Sequence, residues 1–170
     1  MPTITITSIG ADEIERLAPL WQTIHEHHKG IAPTLGPYVD AATSWRVRRD
    51  VYETSLGREG FAFIAAEDAD VGYALVAIGG DDRLWADTWV VGEQVAELVS
   101  LAVVPTARGR GIGTRLLDAV DAELAKRGID DLVIGVVAGN EKAIRLYERR
   151  GLRPTWMVLS RFAARRPGNR

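Results

Sequence analysis

The sequence predicts an α+β domain built on a central mixed, mostly antiparallel sheet flanked by about four helices. Three observations carry this prediction. Phe61 to Glu67 and Val71 to Ile78 read as strands around the turn Asp68-Ala69-Asp70, a hairpin signal. Val95 to Val103 is nearly continuous apolar sequence, the mark of a central strand covered on both faces. From that run onward strand and helix patterns alternate, which requires a crossover and a parallel pair. The expected order is β-α-α-β-β-β-α-β-α-β.

Each element has its own signal. Thr3 to Ser8 alternates Thr and Ile as a first strand does. Asp12 is the expected cap of a helical stretch with Ile14, Leu17, Leu20, Trp21 and Ile24 on one side. Pro19 removes an N–H and disfavours helix at Ala18, so a kink or restart is expected there. Lys29 to Tyr38 holds Gly30, Pro33, Gly36 and Pro37 and reads as a loop. A second helix is expected from Thr43 or Ser44 through Leu56, with Trp45, Tyr52 and Leu56 inward. Gly79 to Gly92 is a polar loop or arm holding Trp85 and Trp89. Gly113 to Arg127 is a helix that buries Leu116, Leu117, Val120 and Leu124 and ends on Gly128. Leu132 to Val137 is a buried strand, Asn140 caps a last helix that Gly151 ends, and Trp156 to Phe162 is a final strand. Residues 1–162 thus make one domain, and 163–170 a basic tail expected to fray.

Composition narrows the classes. The chain has 170 residues, 46% of them hydrophobic, enough for one domain with a core. A net charge of −2 argues against a nucleic-acid partner. No apolar run is long enough to span a bilayer, and the N-terminus lacks a signal-peptide apolar region, so the expected setting is cytoplasmic, without a membrane partner. With no cysteine there is neither a disulfide nor a cysteine nucleophile.

The most informative stretch is Val103-Val104-Pro105-Thr106-Ala107-Arg108-Gly109-Arg110-Gly111-Ile112-Gly113-Thr114, between the apolar strand and the following helix. Glycines let a ligand approach the backbone, and loop N–H groups join the helix N-terminus as an anion cradle. A phosphate or pyrophosphate fits such a cradle. A Walker A loop would need Gly-Lys followed by Ser or Thr, and the dinucleotide fingerprint Gly-x-Gly-x-x-Gly; neither is present.

The spacing Arg108-x-x-Gly111-x-Gly113 resembles the coenzyme A loop of the GCN5-related N-acetyltransferase (GNAT) superfamily. That loop reads Arg or Gln, two residues, Gly, one residue, Gly or Ala. The flanks match as well. Ala96 to Val103 is similar to the family's fourth strand. Asn140-Glu141-Lys142-Ala143-Ile144-Arg145-Leu146-Tyr147-Glu148-Arg149-Arg150-Gly151-Leu152 resembles its last helix, departing only where Leu152 stands for Phe. The likeness covers roughly Val95 to Leu159; the N-terminal half shares only the order of elements.

The resemblance implies an N-acetyltransferase that moves acetyl from acetyl-CoA to a primary amine by direct attack. It implies that the pyrophosphate lies on the N–H groups of Arg108, Gly109, Arg110, Gly111, Ile112, Gly113 and Thr114. The pantetheine arm then pairs with Leu101, Ala102 and Val103 beside a bulge near Ser100 or Leu101, and Asn140 and Tyr147 complete the cofactor site. Glu97 matches the family's acidic position and is the candidate base. It is also an ionisable residue in a strand that reads as core, where partial burial would raise its pKa toward neutrality. The other reading of Glu97 is a solvated or ion-paired carboxylate. Tyr147 is the candidate general acid, or else a core aromatic. The family's acceptor pocket draws on the first helix pair, which points to Trp21, His25, His28, Tyr38 and Trp45.

Other features carry less. His25, His27 and His28 lack a partner of metal-site spacing, so no metal is expected. Arg46, Arg48 and Arg49 read as a solvated helix face rather than an anion site. The alternative function is a non-catalytic coenzyme A-binding sensor or interaction domain, which keeps the glycine loop without needing Glu97 or Tyr147. The acceptor, small molecule or protein, is left open, and so is oligomeric state, although homodimers are common among similar proteins.

Overall fold

The computed structural model describes residues 3–79 and 88–160. Five strands form one sheet in the order β1-β2-β3-β4-β5. They are β1 (Thr5–Ile9), β2 (Phe61–Ala66), β3 (Asp70–Gly79), β4 (Val95–Val103) and β5 (Asp131–Val133). The first four pair antiparallel, and β5 joins β4 in parallel. Four α-helices, α1 (Ala18–Ile31), α2 (Ala41–Leu56), α3 (Ile112–Arg127) and α4 (Glu141–Glu148), cover the two faces.

Each face has its own core. On one, Leu17, Leu20 and Trp21 meet Tyr52 of α2 and Ile64, Tyr73 and Leu75 of the sheet. On the other, Leu116, Leu117 and Val120 of α3 and Tyr147 of α4 pack on Ala74, Val76, Ala96 and Leu98. The apolar run of β4 is therefore covered from both sides, as its composition predicts. Glu97 is the exposed residue within it.

Boundaries shift where local capping competes with pattern. Asp12 does not cap the first helix. A 3₁₀ turn, Ala11–Leu17, follows Gly10, and the α-helix restarts at Ala18. Pro19 lies in its first turn, where a missing N–H costs nothing. α1 continues through Gly30 to Ile31, so the expected loop begins later than Lys29. α2 begins at Ala41 rather than Thr43 or Ser44, because Asp40 is the cap. Its Oδ1 accepts from the Thr43 N–H at 2.9 Å and its Oδ2 from the Thr43 hydroxyl at 2.8 Å.

The largest departures are near the C-terminus. β5 is three residues long, not six, and Ile134 to Val137 leave the sheet. α4 stops at Glu148, and Gly151 (φ +86°) turns the chain after it. The expected strand Trp156 to Phe162 is not a strand over 156–160. Trp156, Met157, Val158 and Leu159 are strongly exposed, and the Trp156 ring meets that of Trp89 edge to face at 6.5 Å rather than entering the sheet. Strand propensity needs a neighbouring edge to be realised. Residues 161 and 162, the 163–170 tail and Trp85 lie outside the described residues.

Candidate active site

The site is organised by β4. Its register with β3 slips between Leu75 and Val76, which face Ser100 and Leu98, so Val99 is unopposed. This is the bulge expected near Ser100 or Leu101, placed just before them. On its other side β4 pairs with β5 only through Val95, Ala96 and Glu97. Past that rung the two segments part, and the edge from Leu98 to Val103 has no strand partner among the described residues. A cleft of about 920 Å³ opens there, with β4, α1 and α2 on one side and Ile134 to Val137 and α4 on the other.

The bulge is held from beneath. The Tyr52 hydroxyl donates to Ser100 Oγ at 2.5 Å and lies 2.7 Å from the Tyr73 hydroxyl. Burial pushes the Tyr52 phenol up to about 12 and raises that of Tyr73, so both stay protonated and hydrogen-bonded. Ser100 thus receives a hydrogen bond from the core and faces the cleft.

After β4, a short 3₁₀ turn (Pro105–Ala107) leads into the glycine loop. Gly109 and Gly111 both have φ +76°, a left-handed conformation that side chains resist. Gly111 is the N-cap of α3, whose first turn has no side-chain cap. Its first N–H groups are therefore available to a ligand. Gly113 differs: its backbone is helical, and a Cβ there would come no closer than 3.6 Å to Leu146 Cδ2.

Of the predicted cofactor residues, Leu101, Ala102, Val103, Arg108, Gly109, Gly111, Ile112, Gly113, Thr114, Asn140 and Tyr147 all line the cleft. Arg110 does not, because its guanidinium is paired with Glu67 of the β2–β3 turn. Arg108 donates Nε–H to the Val103 carbonyl at 3.0 Å, which folds its side chain back on the loop. Asn140 caps α4 by accepting from the Ala143 N–H at 3.4 Å. Tyr147 is buried at the cleft wall, and burial pushes its phenol up to about 12.

Glu97 adopts the solvated of its two expected environments. It is exposed rather than partly buried, and stands on the last β4–β5 rung between Ala77 and Val133. Leu98, next to it, is the first β4 residue of the cleft wall.

The acceptor candidates divide. Trp21 and His28 line the cleft. His25 is buried against Tyr38, their rings edge to face at 6.4 Å, and both its ring nitrogens lack a hydrogen-bond partner. The Tyr38 hydroxyl is committed to the Ala32 carbonyl, and Trp45 Nε1 points to Glu15 at 3.3 Å. Burial, then the charges of His27, Arg48 and His25, hold the His28 imidazole below its usual pKa. Among the described residues no group of three or more His, Cys, Asp or Glu side chains is placed to hold a metal ion.

Arg48 is not on the solvated helix face expected for it: it is half-buried and lines the cleft with its guanidinium 4.2 Å from the centre of the Trp21 ring. The signal was present in its spacing: Arg48 stands between Ser44 and Tyr52, four residues from each, on the inward stripe of α2.

The sequence profile of the acetyltransferase (GNAT) family matches residues 21–152. The chain belongs to the GNAT family. Its curated relatives include the mycothiol acetyltransferase of Beutenbergia cavernae, 38% identical over 82 residues, which are 47% of this chain and 28% of that protein. Another is the ribosomal protein bS18-alanine N-acetyltransferase of Salmonella typhimurium, 40% identical over 81 residues, 46% of this chain and 54% of that protein. The match thus spans about half or less of the curated relatives' length. Among solved structures, a GCN5-related N-acetyltransferase from Ralstonia eutropha superposes with a TM-score of 0.71 at 20% identity, covering 95% of this chain and 100% of that one. An aminoglycoside N-acetyltransferase in complex with CoA superposes at 0.67 and 17% identity, covering 96% and 97%. These likenesses establish a GNAT fold for the described sheet and helices. No described helix is long and apolar enough to cross a membrane.

Proposed function

We propose that this GNAT protein transfers acetyl from acetyl-CoA to a primary amine by direct attack. The observation that carries the proposal is the junction of a strand edge that no described strand pairs, Leu98 to Val103, with the left-handed Gly109-Arg110-Gly111 turn at the α3 N-terminus. An extended diamide arm fits the first and a pyrophosphate the second. When bound there, acetyl-CoA supplies the electrophilic thioester carbonyl.

The chain's own residues supply positioning and proton transfer. A lysine-like amine, with a pKa of about 10.4, is mostly protonated near neutral pH and must lose a proton to attack. Glu97 takes that proton. Being exposed on the last rung beside the cleft, it acts through a water. As the C–N bond forms and the C–S bond breaks, Tyr147 gives its phenolic proton to the departing sulfur, and the second proton of the attacking nitrogen leaves through solvent and restores the phenol, while Glu97 returns the first to bulk water. The raised pKa of Tyr147 keeps the phenolic proton in place across the working range. Asn140 and the β4 edge hold the arm.

Calorimetric titration with acetyl-CoA tests this reading, beside Gly113→Glu. Gly113 is the right probe because its helical backbone accepts a side chain, so the variant folds while its carboxylate opposes the phosphates. Micromolar binding by the parent, weakened roughly 100-fold or more in the variant, is the expected result. No binding by the parent removes the transferase reading. Binding without turnover of any amine supports the non-catalytic coenzyme A-binding alternative.

A further inference from the structure

The three arginines of α2 have different fates. Arg46 is exposed. Arg49 pairs with Glu15 at 3.0 Å and with Glu53 at 2.9 Å. Arg48 has no carboxylate partner among the described residues; it is half-buried at the cleft wall, stacked on Trp21. The stack is rigid. Trp21 Nε1 donates to Ser44 Oγ at 2.9 Å, and the indole meets Tyr52 edge to face at 6.4 Å. The guanidinium face is used by the ring, so its N–H fork is left for a planar acceptor.

The rest of the cleft lining points the same way. His27 and His28 line the cleft on the α1 side with Arg48. None of the described residues lining the cleft is an Asp or Glu. A half-buried arginine without a counter-ion is costly to hold unless a ligand completes it. A site for a plain cationic amine would show the opposite sign of charge.

We propose that Arg48, fixed on Trp21 and flanked by His28, binds an oxyanion of the acceptor, which is therefore a primary amine that also carries a carboxylate or phosphate group. This rests on the transferase reading and adds the substrate class to it. Glycine-loop backbone holds the cofactor phosphates, and Arg48, on another helix, holds the acceptor. Fork-shaped pairing orients the amine as well as capturing it, since two parallel hydrogen bonds fix the plane of the anion.

The test uses acetyl transfer to matched amines: L-alanine against L-alaninamide, and O-phosphoethanolamine against ethanolamine. Acetyl-CoA affinity is measured first, in the parent and in Arg48→Gln. Failure of the parent to bind acetyl-CoA sinks the transferase reading, and this inference with it, before any acceptor is added. Affinity kept by the parent but lost roughly tenfold in Arg48→Gln assigns Arg48 to the cofactor and overturns the inference alone. The expected result is turnover favouring the anionic member of a pair, with KM for it raised roughly tenfold or more by Arg48→Gln, kcat changed less, and acetyl-CoA affinity kept. Equal or better use of the neutral partner overturns the inference. If no amine in the panel turns over, inorganic phosphate is titrated into the CoA-saturated protein while the Arg48 Nε–H resonance is followed. A saturable shift, absent with Arg48→Gln, supports the oxyanion site; no shift overturns it.

Discussion

The two walls of the cleft use different chemistry. On the proposed cofactor side, the contacts on offer come from backbone: the loop at Gly109 and Gly111, the first turn of α3 and the open edge of β4. On the proposed acceptor side they come from side chains of α1 and α2, chiefly Trp21, His28 and Arg48. A backbone cradle needs glycine at set places and leaves a spaced motif. A side-chain wall can be built from many residue sets, because any helix face can present them. One wall therefore reads as a family and the other as an individual substrate.

Substitutions separate the walls further. The largest effect is expected at the reacting centre between them. Glu97→Gln should lower kcat on the order of 100-fold while leaving acetyl-CoA affinity unchanged. Unchanged turnover in steady-state assays would remove Glu97 from the base role. Tyr147→Phe should lower kcat about tenfold, a smaller loss because the departing thiol has a parent pKa of about 8.5 and leaves readily. A loss of acetyl-CoA affinity with kcat intact would make Tyr147 a packing residue of the cofactor wall.

The support beneath the bulge should show in stability. Tyr52→Phe leaves Tyr73 and Ser100 short of a buried partner and should cost about 1–2 kcal/mol in denaturant unfolding. Tyr52 and Tyr147 are also raised to about 12 in the fold, so the unfolded chain loses their protons first. Stability is then full below pH 10 and falls between about pH 10 and 12. A flat profile to pH 12 would contradict this.

The smallest effect is expected at Arg110. Its guanidinium is engaged by Glu67 at the surface, so Arg110→Ala should change acetyl-CoA affinity less than about twofold and leave the denaturation midpoint nearly unchanged. A tenfold loss would mean that the arginine leaves Glu67 for the phosphates, and that the cofactor wall uses side chains after all.

Sequence legibility follows the same division. The hairpin, the central strand, α3 with its Gly128 cap and the Asn140 cap were readable because each rests on contacts within a few residues. The start of α2 was missed by two residues because Asp40, not the downstream hydroxyls, wins the cap. The strand at Trp156 was over-read, since its apolar residues find no edge among those described. For Glu97 the apolar neighbours left both a partly covered and a solvated reading open. Its exposure depends on where β5 ends, which no local pattern records.

By itself the sequence determined the order of elements from β1 to α4, the glycine loop and the identity of the residues around it, because local conformational preference is carried by neighbours in the chain. Tertiary structure decided the rest. It placed the bulge at Val99, ended β4–β5 pairing at Glu97, diverted Arg110 to Glu67 and turned Arg48 onto Trp21. Each outcome depends on residues distant in sequence competing for the same edge, charge or ring face, and only packing settles such competition.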